Sequence, residues 1–252
     1  MKWYFLNTGK DSGQYNMDFD LNLTKNNRGD EAFFRIYRWE PYCISLGFNQ
    51  DFNSVDINKT SRDNICIVKR PTGGRAILHA EELTYSVVYP LSENVSLRNF
   101  YCEVNKALRK GLILYDERLS GIQLESVQPD LRNFYKESVS KICFSVSAKS
   151  EINFSGKKLV GSAQRKIGNT ILQHGSILCG EFHKKIVDYL NLSSEEYSKA
   201  KAKMLNNTIE LEKILAENID YDKLSNCLVK GFEKFFNINF LNLDKEILYL
   251  SV

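Results

Sequence analysis

The residues best able to do chemistry fall in three short segments. The first, Lys69-Arg70-Pro71-Thr72-Gly73-Gly74-Arg75-Ala76-Ile77-Leu78-His79, follows the apolar run Ile65 to Val68. A glycine pair between strands lets a backbone approach a ligand closely and point its N–H groups at a carbonyl or phosphate, while Arg70 and Arg75 offer forked donors. The same residues also make a plain strand-to-strand turn with surface arginines. A lone histidine such as His79 is more often hydrogen-bonded and structural than a base.

The second segment is Gly156-Lys157-Lys158-Leu159-Val160-Gly161-Ser162-Ala163-Gln164-Arg165, closed by Gln173-His174-Gly175-Ser176. Small residues at Gly161, Ser162 and Ala163 cost packing inside a strand, which suits a pocket wall against which a ligand or another backbone lies. Strand alternation puts Lys158, Val160 and Ser162 on one face, so Lys158 points either at that ligand or, at the end of its turn, into solvent. The third segment centres on Cys143, between Lys141-Ile142 and Phe144-Ser145. A thiol becomes a nucleophile when a nearby cation lowers its pKa, and a hairpin can bring Lys158 back beside Cys143. The remaining cysteines, Cys43, Cys66, Cys102, Cys179 and Cys227, are scattered singly and read either as small buried hydrophobes or, any one of them, as a nucleophile.

Strand patterns that could position these segments run over Ala32 to Arg38, Tyr42 to Phe48, Ile65 to Arg70, Ala76 to Leu78, Leu83 to Tyr89, Glu151 to Phe154 and Thr170 to Leu178. Ser155-Gly156-Lys157 and Gly168-Asn169 supply residues tolerant of positive φ, so Glu151 to Leu178 is expected to be a meander of hairpins. Ser96 to Leu112 spaces Leu97, Phe100, Tyr101, Val104, Leu108 and Leu112 as an amphipathic helix, capped by Asn94 or Ser96 and ending near Gly111. Ser193 to Lys203 reads as a solvated helix face and Tyr221 to Phe236 as a terminal packing helix. Residues 1–252 are expected to form a single α+β domain of mixed, largely antiparallel sheets with packing helices, with about 181–252 a mainly helical part of it.

The 252 residues are 43% hydrophobic, 12% aromatic and 26% charged, which excludes wholesale disorder. A net charge of +3 is too mild to argue for nucleic acid. The N-terminal residues lack the apolar core of a signal peptide, and no stretch reaches the length of a membrane span. The expectation is a cytoplasmic monomer that engages neither membrane nor nucleic acid. His79, His174 and His183 and the cysteines lack metal-ligand spacing.

Taken together and in order, these segments resemble the cofactor transferases of lipoate and biotin metabolism. The resemblance rests on Lys69, Arg70, Gly73, Gly74 and His79 and on the strand Gly156 to Ala163. It extends through Asn16-Met17-Asp18, Tyr37-Arg38-Trp39-Glu40-Pro41 and Glu82-Leu83-Thr84-Tyr85-Ser86, covering almost the whole chain. Within that family, Arg70-Pro71-Thr72-Gly73-Gly74-Arg75-Ala76 is similar to the octanoyltransferase form, and Cys143 falls where those enzymes carry their acyl-accepting cysteine. Two positions depart from the pattern: Lys69 replaces the usual first arginine, and Ala80 stands where an aspartate commonly follows the histidine.

The resemblance implies a biotin/lipoate ligase-like catalytic domain and two acyl transfers. Cys143 takes octanoyl from octanoyl-acyl carrier protein as a thioester and a lysine of a lipoyl domain then receives it, with Lys158 favouring the thiolate and stabilising the oxyanion. Substrate contacts are implied for Arg70, Thr72, Gly73, Gly74, Arg75, His79, Gly161, Ser162 and Ala163, with Arg165, Lys166 and Lys141 among the cations steering acidic protein partners. No cofactor is implied on this route. A lipoate–protein ligase would instead use ATP with magnesium. An amidotransferase moving octanoyl between lipoyl-domain proteins would share the cysteine, and a non-catalytic binding module would hold a carrier domain without turnover.

Overall fold

A computed structural model describes residues 1–27, 29–93, 95–125 and 151–242. Its largest sheet runs in the order β11-β1-β2-β6-β10-β9-β8-β7. In chain order these strands are β1 (Lys2–Asp11), β2 (Glu31–Trp39), β6 (Glu82–Pro90), β7 (Ile122–Leu124), β8 (Ile152–Phe154), β9 (Lys157–Ile167), β10 (Thr170–Leu178) and β11 (Leu241–Asn242). β1 pairs in parallel with β2 and β11, and the other ladders are antiparallel. A small second sheet, β4-β3-β5, holds β3 (Cys43–Leu46) between a parallel β4 (Cys66–Lys69) and an antiparallel β5 (Ile77–His79). The mixed, largely antiparallel architecture is therefore present, and the hairpin turns sit where expected, with Ser155, Gly156 and Gly168 at positive φ.

One face of the large sheet buries an apolar core under helices α3 (Leu97–Tyr115) and α6 (Tyr221–Phe236), joined by Leu211 and Leu215 of the short α5 (Leu211–Leu215). Phe34 of the sheet stacks on Phe232 at 4.0 Å. Ser96 caps α3, while Asn94 lies outside the described residues, and the helix continues past Gly111 to Tyr115. Gly111 is a crossing point rather than a terminator: a Cβ there would stand 2.6 Å from Leu228 Cα, and one on Gly231 would stand 2.5 Å from Gly111 Cα. Because those obstacles are backbone, Gly111→Ala is expected to push the helices apart at a cost of about 1–3 kcal/mol. A lower urea midpoint checks this; an unchanged midpoint contradicts it.

The opposite face carries α1 (Gly13–Lys25) and the small sheet, which packs in turn on α2 (Ile57–Arg62), on the 3-10 turn Phe182–Tyr189 and on α4 (Ser194–Asn207). Sequence patterning does not reveal β1 or α1. Asn16, Asp20 and Thr24 are all on α1's buried side, so its inward stripe is partly polar and its apolar period faint. α4 begins with a capping box between Ser193 and Glu196 and buries Ala200 and Met204, leaving most of its surface solvated as expected. No helix among the described residues is long and apolar enough to cross a membrane.

Candidate active site

The loop after β4 is organised by Arg70. Its Nη1 donates to Ser45 O (2.9 Å) and Oγ (3.1 Å), its Nη2 to Gly73 O (2.9 Å) and Arg75 O (2.7 Å), and its Nε to Gly73 O (3.2 Å). The guanidinium fork thus gathers loop carbonyls, and it does so 3% exposed. Gly74 adopts φ +96°, and its carbonyl packs so tightly on Gly47 that a Cβ there would meet it at 2.0 Å. Nothing lies within 4 Å of where a Cβ on Gly73 would stand, so its backbone faces open space. Thr72 turns inward, with Oγ1 2.6 Å from His174 Nε2.

This loop, β10 and β9 enclose a narrow cavity of about 20 Å³ between the two sheets, large enough for about one water. Its lining brings together Arg70, His79, Gly161, Ser162 and Ala163; Trp39 and His174, which sequence reasoning does not single out as substrate contacts, line it too. A Cβ on Gly175 would stand 2.4 Å from Gly161 O and 3.0 Å from Ser162 Cα, so the small-residue wall is closed by another small residue. Thr72, Gly73, Gly74 and Arg75 do not line it: Thr72 reaches it only through His174, and the Arg75 carbonyl accepts from Arg70.

Two buried histidines flank the cavity, each held by a carboxylate. His79 places Nδ1 2.8 Å from Glu82 Oε1 and Nε2 2.7 Å from Ser45 Oγ, and stacks on Trp39 at 4.0 Å. Glu82 also accepts from Thr84 and Ser176. Burial opposes ionisation of Glu82, but His79 and these hydroxyls outweigh it and hold the carboxyl below its usual range. Glu82 therefore supplies a carboxylate to His79 although Ala80, buried, cannot.

His174 sits between Thr72 and Asp20, whose Oδ2 is 3.6 Å from Nδ1. Asp20 in turn accepts from Arg35 (2.8 Å), Ser86 (2.8 Å) and Tyr37 (3.2 Å). Burial resists the Asp20 charge, yet Arg35 and His174 overcome it and lower its pKa. Burial lowers the pKa of His174 despite Asp20, favouring the neutral ring. The sequence signal for this cluster is the string Gln173-His174-Gly175-Ser176, while Asp20 carries none.

Lys158 is 1% exposed, which removes the reading that leaves it in solvent. Its face also differs from simple alternation. Ile152 pairs with Val160 but Asn153 pairs with Lys158, so Leu159 is an extra residue in a β-bulge. Ile152 and Asn153 point to opposite faces, hence Lys158 leaves Val160's face and joins that of Gly161 and Ala163, partners of Ser176 and His174. Lys158 Nζ lies 2.8 Å from Glu151 Oε2, and the other oxygen of that carboxylate is 3.5 Å from Ser162 N. One buried carboxylate thereby ties the lysine to the pocket wall. Cys143 and Lys141 lie outside the described residues. Arg165 donates to Pro71 O (2.6 Å) and lies over exposed Phe48, at the rim, while Lys166 is exposed.

Residues 12–233 match the lipoyl protein ligase A/B catalytic domain. Octanoyltransferase LipM of Staphylococcus epidermidis is 32% identical over 251 residues, covering 96% of this chain and 90% of that protein. The same-named protein of Clostridioides difficile is equally similar, at 32% with 96% and 90% coverage. Among solved structures, a lipoate-protein ligase A bound with ATP superposes with a TM-score of 0.78 at 19% identity, covering 100% of this chain and 93% of that one. The bi-partite lipoate protein ligase from Thermoplasma acidophilum gives 0.77 at 18%, with 100% and 91% coverage. These two likenesses establish the fold.

Proposed function

The chain belongs to the lipoyl protein ligase A/B catalytic-domain family, and from that premise we propose that it carries octanoyl from octanoyl-acyl carrier protein, through a Cys143 thioester, to a lysine of a lipoyl domain. It is an acyltransferase that moves octanoyl groups in lipoate biosynthesis. The observation that carries the finer reading is the placement of Lys158: a buried ammonium on the face of the small-residue wall, held by Glu151.

In the first half-reaction the Cys143 thiolate attacks the donor thioester carbonyl, and collapse of the tetrahedral adduct expels the carrier's thiolate. In the second, the acceptor amine attacks the enzyme thioester, loses a proton, and returns Cys143 as thiolate. Lys158 supplies the positive charge both steps use, lowering the thiol's pKa and balancing the oxyanion. Arg70 acts through the loop it gathers, holding the Gly73 backbone open toward the ligand. The cavity is water-sized at rest, so an eight-carbon chain enters by displacing lining side chains, of which unbranched Met17 yields most easily. ATP takes no part, and the protein works as a cytoplasmic monomer.

Incubating the protein with octanoyl-acyl carrier protein and a lipoyl domain, without ATP, tests this reading. A lipoyl domain heavier by one octanoyl group is expected. Modification only when ATP and free octanoate are supplied would assign the protein to the ligases instead.

A further inference from the structure

The cysteines look solitary in sequence, yet the fold pairs two of them. Cys43 opens β3 and Cys66 opens β4, and they are in-register partners of that parallel pair. Such partners have Cα atoms about 4.8 Å apart, inside the roughly 4.4–6.8 Å range that a disulfide spans. Their side chains also converge: Cys43 Sγ lies 2.5 Å and Cys66 Sγ 3.0 Å from the one point where a Cβ on Gly13 would stand. Both are free thiols.

The two are chemically unequal. Cys43 is fully buried beside Met17, Tyr37 and Trp39, and burial holds its thiol in the protonated form. Cys66 is half-buried, and the neighbouring Cys43 side chain and the backbone N–H of Gly13, the first residue of α1, lower its pKa against burial. A reachable thiolate at a helix N-terminus, with a second thiol in contact, is the arrangement of an attacking and a resolving cysteine.

We propose that Cys43 and Cys66 form a dithiol that small hydroperoxides oxidise to a reversible disulfide. The Cys66 thiolate attacks a peroxide oxygen, breaking the O–O bond, and becomes a sulfenic acid while hydroxide leaves and is protonated to water. The Cys43 sulfur then attacks Cys66 Sγ and expels hydroxide, which takes up the Cys43 proton as a second water. Two electrons pass from the sulfurs to one peroxide. A dithiol reductant reopens the bond by thiol–disulfide exchange. Met17, Tyr37 and Trp39 touch this pair and also line the cavity, so the modification reaches the cavity wall.

The reduced full-length protein, treated with hydrogen peroxide, alkylated and mapped by mass spectrometry without reduction, provides the test. The expected product is a Cys43–Cys66 cross-linked peptide, formed before Cys102 or Cys227 is oxidised and lost on adding dithiothreitol. In Cys43→Ser, a dimedone-reactive sulfenic acid is expected to accumulate at Cys66. In the unmodified reduced protein, iodoacetamide is expected to label Cys66 at least tenfold faster than Cys102 or Cys227. Oxidation confined to other cysteines, a link from Cys66 to Cys143, or Cys66 labelling no faster than Cys102 would overturn the proposal. None of these readouts depends on octanoyl transfer.

Discussion

Lys158→Met is expected to cut octanoyl transfer by a factor of about 10²–10³, the loss typical when one preorganised charge is removed from a developing oxyanion. The same change removes the 2.8 Å ion pair to the Glu151 carboxylate, 3% exposed, at a stability cost of about 3–5 kcal/mol. A single variant cannot separate the two effects, but the double variant Lys158→Met with Glu151→Gln can. Removing both charges restores most of the urea midpoint, because no half of the broken ion pair keeps its buried charge, whereas the rate stays low. Recovery of the rate along with stability would show that Lys158 is a packing residue and not part of the chemistry.

Arg35→Met is expected to be strongly destabilising. Arg35 is 0% exposed and donates to Thr8 Oγ1, Asn16 O, Asn16 Oδ1 and Asp20 Oδ1, with its guanidinium 3.9 Å from the Tyr37 ring centroid. Truncation leaves the buried Asp20 charge facing hydroxyls and a neutral histidine, at about 3–5 kcal/mol. The pH dependence gives a signature. Asp20 has a lowered pKa in the folded protein, so its stabilising contribution is present above its ordinary value of 3.8 and fades as pH falls below that value. The gap between wild type and variant should therefore be widest near pH 7 and close progressively below pH 4. Urea unfolding at pH 7 and pH 3 checks this; a gap that widens on acidification would mean Asp20 is not the group Arg35 serves.

How much the residues disclose follows from how local each signal is. The strands around the site and helices α3 and α6 are legible because their apolar periods and turn residues are contiguous, and the motif through Gly73, Gly74 and His79 marks one side of the cavity. Residue type points to Lys158, but strict alternation puts it on the wrong face, since period two holds only until Leu159 adds a residue to β9. α1 escapes because its inward stripe includes Asn16, Asp20 and Thr24, which look like surface until Arg35 and β10 are placed against them. The bond from Ser176 to Glu82, the contacts of Asp20 on α1 with Arg35 and Ser86, and the Cys43–Cys66 pair join elements far apart in the chain, to which spacing is blind.

Thioester transfer, as opposed to ligation, requires a covalent octanoyl-enzyme on Cys143 that forms without ATP. Intact mass of the protein after incubation with octanoyl-acyl carrier protein alone, beside Cys143→Ser, detects that species itself. A gain of one octanoyl group is expected on the wild type, released when a lipoyl domain is added, with no gain on Cys143→Ser. An unmodified wild type whose lipoyl-domain product appears only with ATP and free octanoate, or an adduct that survives in Cys143→Ser, would contradict the thioester route.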